Sequence, residues 1–260
     1  MEQVPSTLML HPQHFYEEYF TIRTNEIDNQ KLMTIPALMN LLHETAMQNV
    51  IRLKVSVWDL ESENISWVLM RMLLRIKEMP KLGDQIRIVT YPVGFEKFFT
   101  YRDYRIFNNE GEEIGQVATT WLLMDTMTRK MRRIPSFITD YPMPDPETCL
   151  PRIRHKLPKF EAAELQKEFC VGWYDLDFNK HLNNVLYFKW MLEATPDTLL
   201  KKGQIEEIDI LFRQECRWNE NLLSQSYTLD STHRMHRLLK GDGVKEVAMA
   251  KVKWKIPPTE

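Results

Sequence analysis

One short segment of the chain, between Tyr174 and Pro196, places side chains that can exchange protons or hydrogen bonds at every second position. These polar residues are Asp175, Asp177, Asn179, His181 and Asn183. In extended backbone, alternate side chains point to the same side, so an acid, an amide and an imidazole would share one face. The residues between them are mostly apolar, namely Leu176, Phe178 and Leu182. This spacing predicts a polar constellation with an apolar backing, which suits general acid–base chemistry.

The residues after this segment predict a helix that begins directly behind the polar residues. Asn184 is a suitable N-cap, and Pro196 ends the pattern. Between them, apolar residues recur at helical spacing at Val185, Phe188 and Leu192. The free N–H groups of a helix N-terminus favour negative charge. We therefore expect the N–H groups that open this helix to help stabilise an oxyanion.

Composition and charge exclude several classes of protein. The chain has 260 residues, 43% of them hydrophobic, so it is long enough for one large domain or two small ones. The net charge of −2 argues against nucleic-acid binding, because proteins that bind polyanions carry a clustered cationic excess. The three cysteines lack paired C-x-x-C spacing, which indicates neither a disulfide framework nor a zinc site. Without a basic leader or a run of about 18 apolar residues, the sequence predicts a cytoplasmic protein with no membrane span.

The sequence repeats itself once, with a shift of 149 residues. Asp28 and Glu44 lie sixteen residues apart, and the shift superposes them on Asp177 and Glu193. Each pair brackets the start of a predicted helix. The chain is therefore expected to contain two related structural units.

Each copy predicts one helix followed by antiparallel strands. In the first copy Thr34 can cap a helix, with Pro36 in its first turn. Strands are predicted at residues 66–76, 85–91, 100–107 and 113–124, and in the second copy at residues 206–214, 224–231, 233–239 and 244–256. Between the copies, residues 139–160 contain five prolines, which defeat both helix and central strand. We predict an α+β tandem, with a first domain at residues 1–138, a proline-rich linker at 139–160 and a second domain at 161–260.

Two separated stretches carry a resemblance to a known family. Residues 175–187 read Asp-Leu-Asp-Phe-Asn-Lys-His-Leu-Asn-Asn-Val-Leu-Tyr, and residues 192–196 read Leu-Glu-Ala-Thr-Pro. A second stretch, residues 212–216, reads Phe-Arg-Gln-Glu-Cys. Together they closely resemble the signature of the acyl–acyl-carrier-protein (acyl-ACP) thioesterases, of a bacterial type without the targeting extension of the plant members. The resemblance implies a double hotdog fold, each unit a long helix wrapped by an antiparallel sheet, and hydrolysis of fatty acyl-ACP thioesters without metal or organic cofactor.

By position, the resemblance implies catalytic roles for Asp177, Asn179, His181 and Glu215, and a less certain role for Cys216. Hydrolysis needs an activated water and donors aimed at the developing oxyanion. Glu215 or His181 is suited to take the proton of water, and the Asn179 amide to orient the carbonyl or the water. An ionised Asp177 can only accept hydrogen bonds, so it is expected to position its neighbours. Cys216 is either a nucleophile beside the imidazole or, as we favour, a small buried hydrophobe.

The two copies differ at the residues that could do chemistry. Where the second copy has Asn179 and His181, the first has Gln30 and Leu32, so only the second contains an imidazole. The first copy holds most of the methionines, since twelve of the fifteen lie at or before Met143. Flexible thioether side chains line adaptable cavities, but they also fill ordinary cores. The first copy is interpreted either as plain scaffold or as the unit that shapes a pocket for a flexible acyl chain.

Basic residues flank the predicted linker on both sides. The first basic cluster is Arg129, Lys130, Arg132 and Arg133, and the second basic cluster is Arg152, Arg154 and Lys156. The resemblance implies an acidic carrier protein as partner, so both clusters are candidate docking sites. A solvated surface is the alternative interpretation. The oligomeric state stays open, with a homodimer as one alternative.

Other functions fit the same features of the sequence. An acyl-coenzyme A thioesterase, or a hydratase or dehydratase on the same fold, would use the same kinds of side chain. An acyl-binding sensor without catalysis would not need Asn179, His181 and Glu215 together. We expect the thioesterase, with its preference for acyl chain length left open because that depends on the packing of a pocket.

Overall fold

The computed structural model of the chain describes residues 15–140, 143–241 and 243–255. The chain divides into two compact units, Met1–Met70 with Glu78–Ile153 and Arg71–Lys77 with Arg154–Glu260. The outer ends of the two predicted domains, residues 1–14 and 256–260, lie outside the described residues, as do Tyr141 and Pro142 of the predicted linker. No helix in the described ranges is long and apolar enough to cross a membrane.

The first unit is a long helix on an antiparallel sheet. Its strands are β1 (Tyr16–Thr21), β2 (Ile65–Ile76), β3 (Gln85–Glu96), β4 (Phe99–Phe107), β5 (Glu113–Asp125) and β6 (Met131–Arg132). Its helices are α1 (Ile35–Arg52) and the short α2 (Val57–Leu60) and α3 (Ser136–Thr139). β3, β4 and β5 are neighbours in that order, β1 pairs with β3, and β2 and β6 pair with β5.

The second unit repeats this arrangement. Its strands are β7 (Leu165–Cys170), β8 (Gln204–Phe212), β9 (Asn221–Thr228), β10 (His233–Lys240) and β11 (Lys245–Lys255), and its helices are α4 (Asn184–Glu193) and α5 (Asp197–Lys202). The last part of β2 groups with this unit, where Arg71 pairs with Leu211 of β8. From β8 the strand order continues through β11, β10, β9 and β7. The α+β tandem hotdog predicted from the sequence is confirmed.

Helix α1 begins where its capping residue predicts. The Thr34 hydroxyl accepts a hydrogen bond from Ala37 N at 3.2 Å, and Pro36 lies in the first turn, where no N–H is needed. The helix contacts β1 and β3 and buries an apolar face that includes Leu38 and Leu42. The sequence pattern thus determined both the start of this helix and the side that packs on the sheet.

Residues of the predicted linker that belong to the first unit are fastened to its sheet. Leu150 N donates to the Asp103 carboxylate at 2.7 Å. Burial raises the pKa of Asp103 to about 6, although this hydrogen bond opposes the shift. The Arg152 guanidinium donates to Val93 O and lies 4.2 Å from the ring centroid of Tyr101. The charge of Arg152 is therefore engaged in the packing of the first unit.

Residues of the predicted linker that belong to the second unit are held by a buried charge and by an aromatic contact. The fully buried Asp209 carboxylate makes two hydrogen bonds with Arg71, at 2.9 and 2.8 Å, and lies 2.6 Å from His155 Nε2. Phe160 packs edge-to-face on Tyr227, with ring centroids 4.9 Å apart. Because removing one partner would leave a buried charge uncompensated, the Asp209 cluster fixes this stretch of chain firmly.

Polar side chains tie the C-terminal end of α4 to the sheet of the second unit. His236 Nδ1 lies 2.9 Å from Met191 O, and Nδ1 carries the proton because a carbonyl oxygen only accepts. The Ser226 hydroxyl donates to Ala194 O and accepts from Arg234 Nη2 at 3.0 Å. The serine satisfies a carbonyl group just past the helix, and the histidine adds a second donor to Met191 O, which also accepts from Ala194 N at 3.2 Å. The polar contacts therefore fix the end of α4 that lies opposite its N-cap.

We expect this attachment of α4 to weaken in acid. Burial and the nearby charge of Arg234 lower the pKa of His236 to about 3. In the unfolded chain the His236 imidazole takes up a proton at about pH 6.5. The neutral imidazole therefore contributes its full share to the free energy of unfolding above that pH, and this share is lost as the pH falls toward 3. His236→Asn keeps an amide donor for Met191 O but removes the titration. The free energy of unfolding is measured with urea at about pH 7.5 and about pH 4.5. Between these two pH values the wild type should lose about 2 kcal/mol more of it than the variant does. Equal losses would contradict the assignment.

Candidate active site

The segment from Asp177 to His181 forms a tight turn, so the extended alternation predicted for it is wrong. Asp177 N donates to His181 O at 2.7 Å, Lys180 N donates to Asp177 O at 3.0 Å, and Lys180 has a positive φ of 63°. The cause is the Asp177 carboxylate, whose Oδ1 accepts the N–H groups of Asn179 at 2.8 Å and His181 at 3.1 Å. A short polar side chain that captures nearby backbone donors competes with extended structure. Phe178 and Asn179 are consequently exposed at the tip of the turn instead of facing opposite sides of a strand.

Asp177 is the anchor of this turn. Burial raises the pKa of its carboxyl group, while the hydrogen bonds from the backbone of His181 and Asn179 oppose that shift. The Asn179 side chain is also close enough to lower the pKa of Asp177. The carboxylate is directed at backbone donors, as the positioning role expected from the sequence requires.

The first unit contains the same turn. Asp28 Oδ1 accepts from Gln30 N at 2.8 Å and from Leu32 N at 3.1 Å, and Lys31 N donates to Asp28 O at 3.1 Å. Lys31 has a positive φ of 65°, close to that of Lys180. The shift of 149 residues therefore relates individual hydrogen bonds as well as residue types. Because Leu32 takes the place of the imidazole, the turn is a structural feature of both copies and the histidine is an addition to one.

Glu215 and Cys216 come after strand β8, beyond a bulge. Arg213 N and Gln214 N both donate to Val247 O, at 2.9 and 3.1 Å. Two consecutive donors opposite one acceptor bend a strand and turn the following side chains in a new direction. The bulge therefore sets the direction in which Glu215 leaves the sheet.

Backbone hydrogen bonds hold the loop before α4 beside the loop after β8. Leu182 N donates to Cys216 O at 2.8 Å, Asn219 N donates to Val171 O at 2.9 Å, and Val171 N donates to Glu220 O at 3.0 Å. These contacts do not involve side chains. The register between the two loops is thus independent of the residues that could do chemistry.

The paired loops bring His181 and Glu215 into contact. Nε2 of His181 lies 3.2 Å from Oε2 of Glu215, and the two side chains are 16% and 29% exposed. This exposure leaves the pair reachable from solvent while most of each side chain is covered. An imidazole and a carboxylate at this distance can share a proton and take one from a bound water. The structure thus joins two candidate residues that are far apart in the sequence.

Cys216, next in the chain to Glu215, lies in the core. Its side chain is fully buried, and burial raises the pKa of its thiol. The neighbouring Tyr187 hydroxyl donates to Gln214 O at 3.0 Å. A thiol that is buried and protonated is a poor nucleophile. This arrangement favours the interpretation of Cys216 as a small buried hydrophobe.

The N-terminus of α4 differs from the prediction by one residue. Asn183 is the N-cap in place of Asn184, since its Oδ1 accepts from Val185 N at 2.9 Å. Its carbonyl oxygen accepts from Leu186 N at 2.9 Å. The N–H groups of Val185 and Leu186 are therefore engaged within the helix cap, and a role for the N–H groups that open α4 in stabilising an oxyanion stays a prediction.

Lys240 of β10 is a residue of the site that the sequence did not reveal. Its Nζ donates to Glu215 O at 3.1 Å and to both carboxylate oxygens of Glu220 at 3.2 Å. A charged donor that connects two points of the loop after β8 fixes the peptide that carries the Glu215 side chain. No local motif surrounds Lys240, and only strand pairing brings it to the loop.

The ionisable side chains at the centre of the site contact other groups of the protein. His181 and Glu215 contact each other, and Asp177 holds backbone donors. Within the described part of the chain, no group of three or more His, Cys, Asp or Glu side chains could hold a metal ion.

Two family models match the chain, one over each unit. The model described as the acyl-ACP thioesterase N-terminal domain matches residues 13–141, and the model described as the acyl-ACP thioesterase C-terminal domain matches residues 159–256. A palmitoyl-acyl carrier protein thioesterase, chloroplastic, of Cuphea hookeriana is 27% identical over 258 residues, which cover 92% of this chain and 62% of that protein. The chain thus spans about three fifths of the length of this curated relative.

Solved structures support the fold. An acyl-ACP thioesterase from Bacteroides thetaiotaomicron superposes with a TM-score of 0.81 at 20% identity, covering 93% of this chain and 98% of that one. The 12:0-ACP thioesterase from Umbellularia californica gives a TM-score of 0.83 at 21% identity, covering 95% of this chain and 99% of that one. At these identities the superpositions show the shared double hotdog architecture.

Proposed function

The chain belongs to the acyl-ACP thioesterase family, and from this premise we propose that it hydrolyses fatty acyl-ACP thioesters to free fatty acid and ACP. The observation that carries the proposal is the 3.2 Å contact between His181 and Glu215. Both residues lie in the region matched by the C-terminal family model. A pair that can accept a proton and is reachable from solvent suits the attack of water on a thioester.

In the proposed reaction, the His181–Glu215 pair takes a proton from water as the water oxygen bonds to the thioester carbon. The tetrahedral intermediate then collapses, the carbon–sulfur bond breaks, and the pair returns the proton to the leaving thiolate. Asn179 is proposed as a donor to the thioester carbonyl, supported by its exposed position at the tip of the turn. Asp177 and Lys240 act as positioning residues, because they hold the backbone on the two sides of the pair.

We propose that the first unit receives the acyl chain, as one interpretation of its sequence suggested. Met33 and Met39 are buried there, and thioether side chains adapt their conformation to an apolar ligand. Leu32 replaces the imidazole in this unit, which suits binding without chemistry. We also retain the cytoplasmic location expected from the sequence, supported by the three free cysteines.

Replacing either member of the reactive pair should abolish most turnover. His181→Ala and Glu215→Ala are each expected to lower kcat on an acyl-ACP by about 10²-fold or more, because each removes one half of the proton acceptor. Cys216→Ala is the matched control next in the chain and should keep most of kcat, because its thiol is buried. Steady-state kinetics on variants that circular dichroism shows to be folded make the comparison. A pair variant with more than about half of the wild-type kcat, or an acyl group trapped on Cys216, would contradict the mechanism.

The same assay separates the proposed substrate from its nearest alternative. Acyl-ACP and acyl-coenzyme A thioesters with the same acyl chain are compared by kcat/KM with the wild-type protein. The proposal requires the higher value for the acyl-ACP. A higher value for the coenzyme A thioester would reassign the partner while leaving the chemistry intact.

We further propose that exposed cations of the β5–β6 hairpin attract the acidic carrier protein. The exposed members of the first basic cluster are Arg129, Lys130 and Arg133. Arg132 is partly covered. Its Nη1 donates to Glu63 O at 3.0 Å and lies 3.6 Å from Asp125 Oδ2. In the second basic cluster, Arg154 and Lys156 are exposed. Exposed charges act on encounter and binding more than on bond cleavage.

Removing three exposed charges of the hairpin should therefore raise KM for acyl-ACP. We expect Arg129→Ala, Lys130→Ala and Arg133→Ala together to raise KM by about threefold to tenfold at low salt, with kcat near the wild-type value. The matched control removes the same charge from exposed positions of the second unit, through Lys189→Ala, Lys201→Ala and Lys202→Ala. Equal increases for the two triple variants would show an effect of net charge, and the hairpin would then be an ordinary solvated surface.

A further inference from the structure

Four large aromatic side chains are exposed on the two loops that carry the reactive pair. This aromatic rim consists of Trp173, Tyr174, Phe178 and Trp218, which are 62%, 98%, 60% and 52% exposed. The first three lie on the loop before α4, and Trp218 lies on the loop after β8. The rings of Trp173 and Trp218 meet edge-to-face, with centroids 5.3 Å apart.

The aromatic rim is an unusual surface to leave in water. Burying a large apolar side chain stabilises a protein, so four exposed rings forgo a gain in stability. Scattered exposed apolar residues are ordinary, but exposed rings that share two adjoining loops, with Trp173 and Trp218 in contact, suit a surface that a partner covers. The backbone hydrogen bonds of Leu182 to Cys216 and of Asn219 to Val171 hold the two loops in place. The rings are thus presented on a fixed support, which lowers the entropy lost on binding.

Two exposed cations accompany the rim. Lys180 is exposed two residues after Phe178, and Arg217 is exposed next to Trp218 in the chain. The carboxylates of the same loops are engaged by donors of the protein. Asp175 accepts from Gly172 N at 2.8 Å, Asp177 accepts from Asn179 N and His181 N, and Glu220 accepts from Arg217 N and Lys240 Nζ. These carboxylates keep their charge, but their hydrogen bonds direct them at the protein, whereas Lys180 and Arg217 are exposed on the loops and can donate to an acidic partner.

The geometry points to the aromatic rim, with Lys180 and Arg217, as the surface on which the acidic carrier protein docks during catalysis. This inference rests on the proposed function, since the carrier is the partner that the proposed reaction supplies. Its thioester must reach His181 and Glu215, so the carrier has to stand over the loops that bear them. Aromatic and arginine side chains contribute most of the energy of protein interfaces, and cations complement an acidic partner. The rim provides contacts at short range, whereas the hairpin cations act at a distance.

Truncating the rim should lower activity on the carrier substrate more than activity on a small thioester. We expect Tyr174→Ala and Trp218→Ala each to lower the ratio of kcat/KM for acyl-ACP to kcat/KM for the acyl-N-acetylcysteamine thioester by about tenfold. Tyr174 is the cleaner site, because a side chain that is 98% exposed contributes little to packing. The matched control is Trp58→Ala, since Trp58 of the first unit is 62% exposed, and it should leave the ratio unchanged.

Each outcome of this experiment decides the inference. An unchanged ratio in both rim variants overturns it, and so does binding to vesicles of phosphatidylcholine and phosphatidylglycerol that requires Tyr174 while the ratio stays at the wild-type value. If the wild type hydrolyses no acyl-ACP, the proposed function fails, and the rim is tested by titration with acyl-ACP whose thioester is replaced by an amide. Binding that is lost in Tyr174→Ala then supports the rim on its own. Absence of binding to the wild-type protein overturns both.

Discussion

The carboxylate of Asp177 folds the chain back on itself, and the rest of the site depends on that turn. Two backbone N–H groups converge on one carboxylate oxygen, and the second of them belongs to His181. Losing the acceptor would take from the part-buried His181 N–H its partner, while the exposed N–H of Asn179 could turn to water. An extended segment would carry the imidazole past the loop after β8 instead of holding it beside Glu215. The acid in the motif is thus needed for geometry before any question of chemistry arises.

The two units show how chemistry is added to a repeated scaffold. Asp28 builds the same turn in the first unit with nearly the same hydrogen-bond lengths, yet Leu32 occupies the histidine position. Thr34 and Asn183, which are also related by the shift of 149 residues, both cap the helix that follows. At this turn, one copy therefore supplies structure alone, and the other supplies the same structure with an imidazole and a facing carboxylate. This division explains why a carboxylate shared by both copies is a positioning residue while a histidine present in one is a candidate for catalysis.

Much of the fold followed from sequence because it depends on local signals. The cap at Thr34, the apolar face of α1 and the repeat each involve residues that are close together in the chain or related by a fixed shift. The predictions that proved wrong were the extended segment at Asp177 and the cap residue of α4. In both places a side chain bonds to nearby backbone N–H groups, which overrides the regular spacing of polar and apolar residues. The edge strands β1 and β7 were not predicted, because β7 is almost wholly exposed and has no alternation of buried and exposed residues to detect. Lys240 and the aromatic rim were invisible because strand pairing and loop contact, rather than spacing, bring them to the site.

The account stands on the claim that His181 and Glu215 work as one unit. A double-mutant cycle on kcat tests this claim directly, with His181→Ala, Glu215→Ala and the double variant assayed on the same acyl-ACP. If the two residues perform one function together, removing the second costs little once the first is gone. The account therefore predicts that kcat of the double variant lies within about threefold of kcat of the slower single variant. If the two losses multiplied, the residues would act independently, and the 3.2 Å contact between them would not be the reactive element of the site.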